Sequence, residues 1–403
     1  MSNLKLYGIC LCAAILTFFF IFRFWSLHRQ GTVLHQTLES IRLLLDPPDT
    51  PKDTLLRSRA SANARLVGAF HLTNTFVSPD PAVNSAFRTQ SSRLLQAAQR
   101  DWRQFSDIAL QAVEMALPDR RLNSPFDGFV ATVTLSTIIV GLLEPHADIA
   151  ALAANDLEIV SNLITHIWIL SKKPEPIPPQ LLQKLNDHLR HLIPDQLVYP
   201  NPLDFVIPTW ETLWRVVAAA LVHIHRDVIA SEAFRDLIEN PSFVQFRASR
   251  LARTSPSVED YILETLRLDP PVRHMARKTV RQSKLTEFLP RFLAGSIPPQ
   301  EFTEVADIES AQRSAFWGDH PETFEAARFR LDSESVSSGD LLAFGCGPLK
   351  CVASQWAPMA VAVIVGAILN RVDGSGYSIV HGRGVGGRQG WEGWTVCRVD
   401  VDT

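Results

Sequence analysis

From Cys351 to Asn370 the chain carries no charged residue. A helix that is apolar on every side must be wrapped by other elements or by lipid. Ser354, Gln355, Trp356 and Pro358 in the first half of this run, and the glycine-bearing loop before it, fit a buried core helix better than a membrane span. Burying it takes a large body. The composition supplies one, since 403 residues with 46% apolar and 20% charged side chains fit a globular chain with an extensive core, in one domain or two. Helical periodicity dominates from about residue 55 to 370. The long candidates lie near 82–116, 127–143, 148–171, 205–230 and 257–268, so the pattern predicts a mainly α body.

A second apolar segment opens the chain. Leu6–Phe22 is uncharged and as a helix would span about 26 Å, close to the hydrocarbon thickness of a bilayer. It ends in Phe18–Phe20, Ile21 and Phe22 rather than in small residues suited to cleavage, so it reads as a retained anchor over residues 1–30. Lys5 precedes it, while Arg23 and Arg29 follow, an excess that keeps the body on the cytosolic side. Pro47, Pro48 and Pro51 lack amide donors, and residues 31–54 are expected to form a linker to a catalytic body over 55–403.

Charge and cysteine content narrow the chemistry. With 39 basic and 42 acidic residues and no basic stripe interleaved with aromatics, nucleic acid is not an expected partner. Five cysteines, two of them in the apolar leader, do not form a disulfide framework, and a cysteine in a reducing compartment is free to act as a thiolate ligand. His223 and His225, two apart on a helix, cannot readily share a metal. Gly382, Gly384 and Gly387 have the spacing of a dinucleotide fingerprint but neither follow a strand nor open a helix, and a terminal hairpin loop fits them better.

The segment Phe344-Gly345-Cys346-Gly347-Pro348-Leu349-Lys350-Cys351-Val352-Ala353 carries the most chemistry. Gly345 and Gly347 let the backbone turn tightly and approach a flat ligand, and the helix that follows offers its N-terminal amides to Cys351. Such donors favour thiolate over thiol, and Phe344 can shield the sulfur. A buried cysteine on a glycine turn is the plain alternative. Upstream, Glu264 and Arg267 lie three apart on one helical face. Leu213, Val216, Val217, Ala220 and Leu221 mark another buried helix, which carries the acid-alcohol pair Glu211-Thr212.

Taken in order, these segments resemble cytochromes P450. The aromatic, glycine and cysteine spacing of Phe344, Gly347 and Cys351 is similar to the family's haem-binding signature. Glu264-x-x-Arg267 followed by Pro270 and Pro271 looks like its Glu-x-x-Arg helix, and Trp317–Phe329 resembles the loop whose arginine, here Arg328, joins that pair. The run His71–Arg88 looks like a short fungal branch of the family, and the resemblance covers about 60 to 370. Leu349 stands where the family usually has a basic residue, and Arg273 and Arg277 are the expected substitutes toward the haem propionates. Pro208 and Thr209 replace the usual small residues before the acid-alcohol pair, and Pro208 is expected to open the helix there.

The resemblance implies a mainly α fold with small β-sheets behind a single transmembrane helix, and haem b (iron protoporphyrin IX) ligated by Cys351. It implies a monooxygenase anchored in the endoplasmic reticulum membrane, reduced by NADPH through cytochrome P450 reductase, that inserts one oxygen atom from O2 into a hydrophobic small molecule, as in secondary metabolism. Glu211 and Thr212 would deliver protons. A reductase-independent haem-thiolate isomerase or dehydratase, and a membrane-anchored haem-binding protein without turnover, are the alternatives.

Overall fold

The computed structural model describes residues 31–117, 123–249, 255–281, 300–330, 338–372 and 376–399. The expected anchor, residues 1–30, lies outside them. In chain order the first half forms β1 (Gly31–His35), α1 (Leu38–Leu45), α2 (Lys52–Ala62), α3 (Arg65–Phe70), α4 (Pro81–Gln99), α5 (Trp102–Ala116), β2 (Ser124–Pro125), α6 (Phe126–Ile138), α7 (Ala154–Leu170) and α8 (Pro179–Leu192). There follow α9 (Leu203–Ile224), α10 (Val228–Glu239), α11 (Phe243–Arg247), α12 (Val258–Leu268), β3 (His274–Arg281), β4 (Gln300–Asp307), α13 (Ile308–Gln312), α14 (Ala357–Val372), β5 (Tyr377–Val380) and β6 (Thr395–Arg398).

Local chemistry sets the helix starts. Asp80 accepts from the Ala82 amide ahead of Pro81, and Ser257 and Asp260 close a reciprocal capping box on α12. Two helices expected as single runs are each split by such a cap. Asp101 accepts from the Gln104 amide and starts α5, while Asp227 accepts from the Ala230 amide and starts α10. The apolar stripe runs straight through both breaks, which is why periodicity alone joined them.

The uncharged run is a core helix, as expected. Ala357 to Leu369 of α14 are all buried, packed by α5, α9, α10 and α12. Phe126–Leu143 and Leu203–Ile224 are long and apolar enough to cross a membrane, but 78% of each is buried in the body. At Gly141, in the single π turn that extends α6, an added Cβ would stand 2.7 Å from the Phe105 ring, so α5 and α6 approach closely there.

Two small sheets flank the helices. β1 pairs in parallel with β4, and β3 pairs antiparallel with it, placing Arg277 opposite Glu304. β6 lies between β2 and β5, and the Gly382–Gly390 tract fills the β5–β6 connection, as a hairpin loop should. The expectation of a linker over 31–54 is corrected: β1 is a sheet strand, and Leu38, Ile41 and Leu45 of α1 build a second core with Ala306, Ile308, Ala311 and Leu342. Prolines 47, 48 and 51 break only the join between α1 and α2.

Candidate functional site

The cysteine loop folds as its glycines require. Gly345 and Gly347 adopt φ of 65° and 66°, a region other residues enter at a cost. A Cβ on Gly347 would also meet the Asp46 side chain at 2.5 Å. The Cys351 amide donates to the Phe344 carbonyl at 3.0 Å, closing the loop, and short turns over Gly347–Leu349 and Val352–Gln355 lead into α14. Phe344 packs on the main core beneath.

Cys351 is exposed, yet its surroundings are dense enough that burial pushes its thiol pKa up. The Ala353 amide, Arg88 and Lys350 act in the opposite direction and favour the thiolate.

Helix α9 carries the acid-alcohol pair. Most of its side chains are buried, but Pro208, Thr209 and Thr212 are partly accessible and lie on one side. Helix α4 touches both α9 and the cysteine loop: Phe87 stacks on Phe205 of α9 at 5.5 Å, and Arg88 donates to the Lys350 carbonyl at 3.3 Å. Pro208 does not open the helix, contrary to expectation, because α9 is continuous from Leu203 to Ile224. The carbonyl that Pro208 leaves without a donor, that of Asp204, accepts instead from Asn74 Nδ2 at 2.8 Å. Asp204 also accepts from the amides of Thr73 and Asn74, tying the 71–77 loop to this turn.

Glu211, one of the expected proton-delivery pair, is 3% exposed and held on both oxygens: Arg215 donates to Oε2 at 2.9 Å and Arg388 to Oε1. Arg388 comes from the glycine-rich loop and also lies 4.3 Å over the Trp168 ring. Thr212 keeps its place on the accessible side.

Three arginines converge beside the loop without a carboxylate among the described residues to pair with them. They are Arg59 of α2, Arg88 of α4 and Arg277 of β3. Arg59 donates to the Thr75 carbonyl and Oγ1, with its Nε left over, and Arg277 also keeps an unused buried Nε. Asn84, one turn before Arg88, donates to Thr75 Oγ1 at 2.6 Å and leaves its Oδ1 unused. Burial, reinforced by Arg277 and Arg88, holds Arg59 down at about 10; burial, partly offset by Cys346, holds Arg277 down at about 10. Buried cations that repel one another call for an anion. Two carboxylates at the edge of a flat apolar ligand satisfy that demand, so these residues fit a haem.

Arg277, expected toward the propionates, lies buried near Cys346 and Arg59. The expectation for Arg273 is corrected: its side chain is 43% exposed and pairs with Glu309 at 3.6 Å on the surface. Arg59, Arg88 and Asn84 were missed as ligand contacts. The four-residue step from Asn84 to Arg88 on one helix face was a readable signal, whereas a lone arginine in α2 was not.

The Glu264 network forms as expected. Arg267 donates to Glu264 through Nε at 2.7 Å and a terminal nitrogen at 2.8 Å, both side chains fully buried. Arg328 Nε reaches Glu264 Oε1 at 3.4 Å, and Arg267 also donates to the carbonyls of Gln312 and Pro321 at 2.7 Å. The histidines at the end of α9 are not free at the surface: His223 pairs with Asp269 at 2.8 Å and stacks on Phe324, and His225 bonds the Leu221 carbonyl.

Comparison with known proteins agrees with this geometry. The cytochrome P450 family model matches residues 254–373, which hold Glu264, Arg267, Arg277, Arg328 and Cys351. Three solved structures are similar over most of the chain. A six-coordinated cytochrome P450 from Thermus thermophilus is 16% identical with a TM-score of 0.60, covering 91% of this chain and 92% of that one. CYP164A2 of Mycobacterium smegmatis, in a ligand-free state, is 16% identical with a TM-score of 0.57, covering 91% and 90%. CYP175A1, from another strain of Thermus thermophilus, is 15% identical with a TM-score of 0.55, covering 93% and 90%. No curated protein matches. The resemblance to cytochromes P450 is borne out, by sequence over the segment that carries the cysteine loop and by fold over nine-tenths of the chain.

Proposed function

From a chain with the cytochrome P450 fold, we propose a haem-thiolate monooxygenase that inserts one oxygen atom from O2 into a hydrophobic small molecule. The observation that carries this reading is the arginine cluster without an ion-pair partner among the described residues, beside an accessible cysteine on a glycine-bent loop. Cys351 Sγ would ligate the iron, with the Ala353 amide favouring its charged form, while Arg59, Arg88 and Arg277 would hold the two propionates. Bound there, haem supplies the iron that binds and activates dioxygen, and thiolate ligation favours O–O cleavage.

The chain's own residues then govern protons and access. Thr212 offers a hydroxyl on the accessible side of α9, able to hold a water by hydrogen bond. Glu211, next to Thr212 in the same helix, is held by Arg215 on Oε2 and by Arg388 on Oε1, so it would join a proton relay toward that water when Arg388 releases Oε1. Arg388 lies on the β5–β6 loop, so movement of that loop would gate the proton supply.

Reduction by NADPH through cytochrome P450 reductase, a place in secondary metabolism, and anchoring of a cytosolic body in the endoplasmic reticulum membrane through residues 1–30 complete the proposal. The double grip on Glu211 also favours a second reading, a haem-thiolate isomerase or dehydratase that needs no reductase. Turnover tested with and without NADPH and reductase separates the two. A monooxygenase requires both and consumes O2, and product formation without either supports the second reading.

A further inference from the structure

Away from the cysteine loop, one cluster of metal-ligating side chains has no part in the function above. Asp156 lies in the first turn of α7, and His188 and His191 lie three apart near the end of α8, the helix packed against it. Asp156 is 8% exposed, and both imidazoles aim the same ring atom at it: His188 Nδ1 is 2.6 Å from Oδ1 and His191 Nδ1 is 3.2 Å from Oδ2. The three ligand atoms all lie within 4.8 Å of one another.

We propose that Asp156, His188 and His191 form a divalent cation site for zinc that pins α7 to α8. The donor set is two imidazole nitrogens and one carboxylate oxygen, which suits zinc, and a His-x-x-His step puts both rings on one face of a helix. In a tetrahedral zinc site with bonds of about 2.0–2.2 Å, ligand atoms sit roughly 3.2–3.6 Å apart. The two carboxylate–imidazole separations, 2.6 and 3.2 Å, lie just below or at the edge of that range, so small side-chain rotations that open the cluster suffice. Without metal, both Nδ1 protons are spent on one carboxylate, and a cation at their centre replaces those two protons. The His191 side chain is 67% exposed, so the fourth position opens to solvent and takes a water. The site closes the α7–α8 pair on the side away from the Pro174–Pro179 connection, and occupancy would stiffen that pair.

The test is a titration of the full-length, chelator-treated, haem-loaded protein with zinc chloride, followed by calorimetry and thermal unfolding. The wild type takes up one equivalent of zinc in a saturable step and unfolds at higher temperature. His191→Ala removes an exposed side chain, leaves the haem spectrum unchanged, and weakens zinc binding at least about tenfold; Asp156→Asn does the same. The inference is overturned by a wild type with no saturable uptake, or by a His188→Ala/His191→Ala protein that binds zinc as the wild type does. Neither result bears on the haem reading, which is tested separately.

Discussion

Two arginine assemblies built on buried guanidiniums sit in this molecule, with Arg88 of the second half-buried, and they differ in what balances their charge. Around Glu264, every charge has its partner within the chain: the carboxylate takes Arg267 on both oxygens, Arg328 joins it, and the remaining guanidinium protons go to backbone carbonyls. Around Arg59, Arg88 and Arg277, the hydrogen bonds run to carbonyl and hydroxyl oxygens, Glu304 opposite Arg277 is held by His35 and Thr279, and burial and mutual repulsion hold Arg59 down at about 10. The first assembly is complete and holds the fold. The second is complete only with an anion, and so marks a ligand. Buried cations of one sequence type therefore divide into architecture and binding by their counterions, a distinction that burial alone does not make.

The largest expected effect breaks the first assembly. Glu264→Ala strands Arg267 at zero exposure and costs about 3–5 kcal/mol, in the haem-free and haem-loaded protein alike, as read by chemical denaturation. Next comes Arg277→Gln, which should act in the opposite sense. The haem-free protein keeps its stability or gains some as repulsion is relieved, while haem affinity falls roughly ten- to a hundredfold, the worth of one charged hydrogen bond at about 1.5–3 kcal/mol. Haem transfer to an apo-globin acceptor measures the loss.

A third effect, of about tenfold per pH unit, concerns the thiol. Burial raises the Cys351 pKa, so the folded haem-free chain holds that proton more tightly than the unfolded chain does. Its stabilising contribution is present below the unfolded thiol pKa and is lost as pH rises through the folded one. Ligation needs the thiolate, so haem uptake expels the proton and tightens with rising pH by up to about tenfold per unit until the thiol ionises. Calorimetry of haem uptake in buffers of different ionisation heat counts the proton released. The smallest effect sharpens the contrast: Arg273→Gln breaks an exposed pair with Glu309, costs about 0–1 kcal/mol, and leaves haem affinity unchanged.

What could be read from the residues in advance follows from range. The glycine turn of the Cys351 loop, the Glu264-x-x-Arg267 step and the uncharged run through most of α14 are local patterns, and each folds as the sequence implied. Features that depend on distant partners were hidden. Residues 31–35 look like part of a proline-punctuated connector until β4, about 270 residues later, offers a parallel edge. Pro208 signals a break unless Asn74 is known to lie beside the Asp204 carbonyl. Arg59 is an ordinary member of a short polar helix until folding brings Arg88 and Arg277 to it. The splits at Asp101 and Asp227 were written locally, as helix caps, but the apolar stripe on either side concealed them.

The claim that the second arginine assembly waits for carboxylates beside Cys351 is tested most directly by titrating the haem-free protein with haem and with its propionate dimethyl ester, and recording the reduced, carbon-monoxide-bound spectrum of each. The wild type should bind haem with a thiolate-type spectrum that Cys351→Ala abolishes, and bind the ester at least about tenfold more weakly, a gap that closes in Arg59→Gln/Arg277→Gln. Equal affinity for haem and ester in the wild type, or a thiolate spectrum that survives Cys351→Ala, would contradict it.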